Sequence, residues 1–249
     1  QIQLATLSDG PAEDLDWTNQ TSTISAWWSD ISDTTSGLAE YLYTIDTESI
    51  ITGTESWFSN GLSENLDQID GSFDNGSTYY LKLKAKDAVG NWSDHLISDG
   101  FTIDTDLPLV SHVGDHWIGD DLDYQNQSDS LRIHWRGSDA ASGLDKYRYL
   151  ITSSDSDTLV QWTDAGLDTS AVVHISLTEN LIYTAQVMAF DVAGNSSEVV
   201  SSDGILIDMT APVTGTLIDG ALVDAAFTGS NSDLEFSWSG FIDASSQIE

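Results

Sequence analysis

Hydrophobic positions along this chain recur at every second residue. In "YLKLKAKD" (Tyr80–Asp87), Leu81, Leu83 and Ala85 alternate with Tyr80, Lys82, Lys84 and Lys86. In "YTAQVMAFD" (Tyr183–Asp191), Ala185, Val187 and Ala189 keep the same phase, and "AEYLYTID" (Ala39–Asp46) and "LRIHW" (Leu131–Trp135) alternate too. A period of two sends successive side chains to opposite faces of a strand, so each segment is predicted to be a strand with one apolar face. No sustained 3.6-residue period appears. The other face of the first segment carries three of the four lysines.

The segments between these strands repeat. "KAKDAVGNWS" (Lys84–Ser93) matches "MAFDVAGNSS" (Met188–Ser197), and "SDGFTIDTDLP" (Ser98–Pro108) matches "SDGILIDMTAP" (Ser202–Pro212), both at a shift of 104 residues. "SGLAEYLYTI" (Ser36–Ile45) matches "SGLDKYRYLI" (Ser142–Ile151), and Trp28 aligns with Trp135 and again with Trp238. Repeats of this length are ordinary domains in tandem. They are drawn as residues 1–108, 109–212 and the opening part of a third, 213–249. Two of the three prolines, Pro108 and Pro212, fall at the seams. The phrase Asp-Ala-Val-Gly-Asn, later Asp-Val-Ala-Gly-Asn, lies just after an alternating strand. It reads as a hairpin turn in which Gly90 and Gly194 supply a positive φ.

Short alternating strands separated by turn residues predict an all-β chain of tandem antiparallel β-sandwiches arranged as a rod. The Trp-bearing strand, "DTTSGL" or "DAASGL", the Tyr-rich strand, "AKDAVGN" and the closing "IDMTAP" resemble bacterial fibronectin type III-like and immunoglobulin-like repeats. The resemblance covers both complete repeats and the start of the third. It implies a stalk, an adhesive rod or a spacer in a secreted or surface protein. Trp28, Trp135 and Trp238 recur and are expected in the cores.

Composition narrows the function. With 7 Lys and Arg against 41 Asp and Glu, the net charge is −34. Such a chain is repelled by nucleic acid and by anionic membranes, and it attracts divalent cations. No apolar run is long enough to span a bilayer, and no membrane insertion is expected of this segment. There is no cysteine, which removes disulfides and thiolate chemistry.

Two sets of residues carry candidate chemistry. Calcium needs several hard oxygen ligands from converging segments. In the second repeat these are Asp104 and Asp106 from the linker, Asp139 from a loop, and Asp191 and Asn195 from the hairpin; in the first they are Asp33, Asp87 and Asn91. The competing reading makes all of them turn and cap residues. Trp27, Trp92 and Trp117 have no aromatic counterpart in the other complete repeat, so they are candidates for stacking on a glycan. Catalysis is not expected. Asp14 and Asp121 recur in register, as do Asp16 and Asp123, which marks them as features of the repeat. His112 and His116 read as surface histidines. The expected role is a non-catalytic structural or adhesive segment of an extracellular or cell-surface protein. Its expected partners are further repeats or other copies of the same chain. The alternative is a carbohydrate-binding or spacer region of a secreted hydrolase.

Overall fold

The computed structural model of the protein describes residues 2, 6–11, 13–116, 121–219, 227, 229–230 and 233–246. All of its regular elements are strands. From the first repeat come β1 (Thr6–Ser8), β2 (Trp17–Thr18), β3 (Thr23–Ser29), β4 (Leu38–Asp46), β5 (Phe58–Ser59), β6 (Asn65–Asp70), β7 (Thr78–Asp87), β8 (Leu96–Ile97) and β9 (Phe101–Ile103). From the second come β10 (Leu109–Asp115), β11 (Tyr124–Gln125), β12 (Leu131–Ser138), β13 (Leu144–Ser153), β14 (Thr158–Gly166), β15 (Ser170–Val173), β16 (Ile182–Asp191), β17 (Val200–Ser201) and β18 (Ile205–Ile207). β19 (Thr216–Asp219) and β20 (Phe236–Ser239) follow.

The first repeat forms a sheet β1-β3-β6 and a second sheet β2-β9-β7-β4-β5, with β8 also on β7. The second forms β10-β12-β15 and β11-β18-β16-β13-β14, with β17 on β16. Among the described residues, β19 pairs with β20 alone. Most pairs are antiparallel, but β2–β9 and β11–β18 are parallel. Each of these two-residue strands is reached by a loop rather than a tight hairpin, so the connection does not force an antiparallel partner.

Both sheets of the first repeat feed one core. Ala26 and Trp28 of β3, Tyr41 of β4, Leu66 of β6, and Leu81, Leu83 and Ala85 of β7 are buried together. Trp28 meets Tyr41 edge-on at 5.5 Å between ring centroids. In the second repeat Trp135 packs at 6.0 Å from Tyr147. Near the start of β7 the Tyr79 hydroxyl accepts the Asp74 N–H at 2.9 Å. Near the start of β16 the Tyr183 hydroxyl accepts the Thr178 N–H at 2.7 Å. This Tyr-to-upstream-backbone tie is a hallmark of sandwiches of the immunoglobulin type.

One expectation is corrected, that for Trp238, and one charged position is enclosed. Lys82, opposite the apolar face of β7, is fully buried. Its Nζ donates to Asp46 at 2.8 Å and to the Ile50 carbonyl at 2.8 Å, with Glu55 at 3.8 Å. The segment after β4 folds over this part of the polar face and supplies the oxygens that a buried ammonium needs. Trp238 is not in a core, being 72% exposed, while Trp28 and Trp135 are each 1% exposed. It pairs with Leu217 in the same register in which Trp28 pairs with Leu7. Among the described residues after 212, no counterpart of β4 or β7 covers it.

The chain separates into two compact units. One comprises Gln1–Leu109, Gly137–Lys146 and Ala189–Glu198; the other comprises Val110–Arg136, Tyr147–Met188 and Val199–Glu249.

Candidate metal centre

The linker, the loop before β13 and the hairpin after β16 meet inside the first unit. Asp104 follows β9 and is fully buried. Its Oδ1 accepts the Asp106 N–H at 3.0 Å and its Oδ2 accepts the Ser142 N–H at 3.0 Å. Asp139 caps its own loop, accepting from Ala141 and Gly143 at 3.0 and 2.8 Å. Asp191 ends β16 and is 2% exposed; it accepts the Asn195 N–H at 2.7 Å and the Asn195 side-chain amide at 2.8 Å. That same amide donates to the Asp104 carbonyl at 2.8 Å. Gly194 has φ +97°, the left-handed geometry that lets the hairpin turn back within hydrogen-bonding reach of Asp191.

Carboxylate oxygens of Asp104, Asp139 and Asp191 all lie within 4.8 Å of one another. No ion pair described in the structure brings a Lys or Arg to any of the three. Three carboxylates at this spacing repel one another in a poorly hydrated site, and a hard cation relieves the repulsion while using their free lone pairs. Asn195 belongs to the cluster through its hydrogen bonds. Asp106 lies beside it, exposed, and contributes an amide rather than a carboxylate.

The first-repeat residues are arranged differently. Asp33 accepts the N–H groups of Thr35, Ser36 and Gly37. These donors, Ser36 foremost, hold its carboxyl well below the usual range. Asp87 accepts from Val89, from the Asn91 backbone and from the Asn91 side chain. Burial pushes its pKa upward, but the Asn91 and Val89 donors outweigh that and leave it lowered. Asp33, Asp87 and Asn91 thus serve as turn caps, and no third carboxylate joins them among the described residues. The linker geometry recurs downstream. Asp208 accepts the Thr210 N–H at 3.0 Å, as Asp104 does from Asp106, and Asp243 caps Ser245 and Ser246, as Asp139 caps its loop.

Two of the three candidate glycan-stacking residues are described. Trp27 lies within β3, partly buried, with its indole N–H enclosed and unpartnered. Trp92 is 45% exposed beyond β7, with Lys84 and Lys86 ammonium groups 5.1 and 5.2 Å from its ring centroid. The two belong to different sheets, and the cations already occupy the Trp92 ring. Trp117 lies outside the described residues. His112 does not pair with His116, four residues along the chain and just past the end of β10. It meets His134 on the neighbouring β12, Nε2 to Nε2 at 3.1 Å, because cross-strand neighbours lie close together.

No protein-family model matches the chain, and no curated protein matches it. Solved structures do. Domains A168-A170 of titin superpose with a TM-score of 0.50 at 13% identity, over 82% of this chain and 65% of that one. This is the tandem sandwich fold of fibronectin type III-like and immunoglobulin-like domains. The FN1-FN3 domains of chicken CNTN1 match with a TM-score of 0.47 at 14% identity, over 82% of this chain and 64% of that one. A two-domain fibronectin type III segment of chicken tenascin matches with a TM-score of 0.29 at 16% identity, over 81% and 95% of the two chains. The chain spans slightly under two thirds of the titin and CNTN1 segments. Among the described residues, no helix is long and apolar enough to cross a membrane. The fibronectin type III-like scaffold explains why the acidic residues converge. It gathers the loop before β13 and the hairpin after β16 at one place, and the linker from β9 arrives there.

Proposed function

We propose that this chain is a non-catalytic structural or adhesive segment of an extracellular protein, built from repeated sandwiches whose linker is clamped by calcium. The observation that carries the reading is the double hold on Asp104. Its carboxylate takes the Ser142 N–H and its carbonyl takes the Asn195 amide, beside the carboxylates of Asp139 and Asp191. Calcium bound by those three carboxylates ties the linker to two loops that lie more than thirty residues further along the chain. A linker so tied transmits force and orientation instead of swivelling, which is what a stalk or adhesive rod requires. Its partners on this reading are modules of the same kind or other copies of the chain. A charge of −34 disfavours nucleic acid.

Thermal unfolding in calcium, in magnesium, and in chelator at matched ionic strength tests this. Calcium at a hundred times its dissociation constant stabilises the native state by about 2.7 kcal/mol. Asp139→Asn keeps the loop-capping oxygen but removes a charge, so it should blunt the calcium response. Coincident calcium and salt-matched curves would mean screening only, and the clamp is then abandoned.

A further inference from the structure

A second kind of acidic cluster occurs twice, once in each unit and away from the Asp104 group. Asp9, Asp14 and Asp99 bring carboxylate oxygens within 4.8 Å of one another, and Asp115, Asp121 and Asp203 do the same. The two are related by the repeat: Asp9 follows β1, Asp115 ends β10, and Asp99 and Asp203 sit in the two Ser-Asp-Gly turns. The five-residue spacing of Asp9 and Asp14 recurs in the sequence as Asp219 and Asp224, where Asp224 lies outside the described residues.

The central carboxylate of each cluster points to a ligand. Asp9 is 2% exposed and Asp115 is fully buried. Both oxygens of Asp9 and the Oδ1 of Asp115 are enclosed and short of donors, the Ser98 and Ser202 hydroxyls being the side-chain donors beside them. The Oδ2 of Asp115 accepts the Gly204 N–H at 3.0 Å. The Ser98 and Ser202 hydroxyls accept backbone N–H groups, from Leu81 and Ala185 at 3.0 Å, and each keeps a single O–H to offer the neighbouring Asp9 or Asp115 carboxylate. A buried carboxylate short of donors costs free energy, and a fold that builds the same shortfall twice needs something to fill it. The outer members Asp14, Asp99, Asp121 and Asp203 are exposed, which gives a hydrated ion a path in. Oxygens a few ångströms apart suit one cation coordinated at about 2.3–2.6 Å.

We infer that Asp9–Asp14–Asp99 and Asp115–Asp121–Asp203 are a duplicated binding site for a hard divalent cation of the calcium type. The backbone closes each site. The Asp14 carboxylate accepts the Asp9 N–H at 3.3 Å, and that of Asp121 accepts the Asp115 N–H at 3.1 Å, so the acidic loop curls back over the buried carboxylate. Gly10 follows Asp9 in that curl, and a Cβ there would meet the Glu13 carbonyl oxygen at 1.9 Å. Without a cation, burial and the flanking carboxylates lift Asp9 to about 6 and Asp115 to about 7, as expected where negative charge is unmatched. The cation would pin the loop after the first strand to the Ser-Asp-Gly turn before the last strand of each sandwich.

The test is calcium stoichiometry by equilibrium dialysis on the whole 249-residue chain, freed of metal by chelator, with calcium chloride as the probe. Magnesium is added in excess at matched ionic strength. The titration is centred on the ~0.1–1 mM range of extracellular calcium modules. The decisive variant is Asp99→Asn with Asp203→Asn, because both residues are exposed and the fold should survive their change; far-ultraviolet circular dichroism checks this. The variant is expected to lose two calcium equivalents relative to the wild-type chain. Asp139→Asn loses a different one if the Asp104 clamp also binds, so failure of either proposal is seen separately. A stoichiometry unchanged by Asp99→Asn with Asp203→Asn overturns the inference. So does calcium binding abolished by the magnesium excess.

Discussion

Trp28, Trp135 and Trp238 occupy one position of the repeat in three environments, so truncating each to Ala separates register from packing. Trp28 and Trp135 are each 1% exposed, whereas Trp238 is 72% exposed. Burying an aromatic of this size removes about 150–250 Å² from water, worth about 4–6 kcal/mol at 25 cal/mol per Å². The edge-on contact of Trp28 with Tyr41 adds about 1 kcal/mol. Against this, the indole N–H groups of Trp28 and Trp135 are buried without acceptors, and their removal returns about 1–3 kcal/mol. The net expectation is a loss of about 3–4 kcal/mol for Trp28→Ala and Trp135→Ala, and under about 0.5 kcal/mol for Trp238→Ala. Trp28→Phe, which discards the orphan N–H and keeps a ring, should cost less than half as much as Trp28→Ala. Urea unfolding followed by circular dichroism in saturating calcium reads all four changes. The reasoning fails if Trp238→Ala costs as much as Trp28→Ala, or if Trp28→Phe is no better than Trp28→Ala.

Two further outcomes follow from buried charge. Lys82→Met should cost about 3 kcal/mol, the low end for breaking a buried pair because Asp46 keeps 33% of its side-chain surface exposed. Lys84→Met, which loses only ring contacts to Trp57 and Trp92, should cost under about 1 kcal/mol, and denaturant midpoints compare the two. In chelator, the wild-type chain should lose more stability than Asp115→Asn between pH 5 and pH 7.5. The Asp115 pKa is raised by burial, and further by Asp121 and Asp203, from 3.8 to about 7. Its contribution is therefore fully present below about pH 4 and is lost as pH rises through 7, by up to about 4 kcal/mol. Parallel pH profiles for the two proteins would contradict this.

The alternating pattern made the sandwich legible. Leu81, Leu83 and Ala85 are inward, and the Gly90 and Gly194 turns have the positive φ that the Asp-x-x-Gly-Asn phrase implies. Period alone could not show that Lys82 is buried, because the oxygens that receive it come from Asp46, Ile50 and Glu55, in and after the preceding strand. Recurrence of a Trp identified its sheet position, but burial depends on strands that cover it, and among the described residues these are present for Trp28 and Trp135 and not for Trp238. Within the candidate site, Asp139, Asp191 and Asp104 were legible as residues that the scaffold gathers. Asp33 and Asp87 carry the same local signature and differ only in the absence of a third carboxylate, which one-dimensional spacing does not reveal. Asp14 and Asp121 recur in register and so read as parts of the repeat, while the enclosure of the neighbouring Asp9 and Asp115 carboxylates, which suggests a ligand, exists only once the chain is folded.

Amide hydrogen exchange across the linker residues Thr105, Asp106 and Leu107, with and without calcium at matched ionic strength, bears most directly on the clamp. The Asp106 N–H donates to Asp104 and the Thr105 N–H to Asn75, so both report on whether this segment stays closed. Calcium is predicted to slow exchange at these amides at least tenfold in the wild-type chain, and not in Asp139→Asn. Equal exchange with and without calcium would contradict the account.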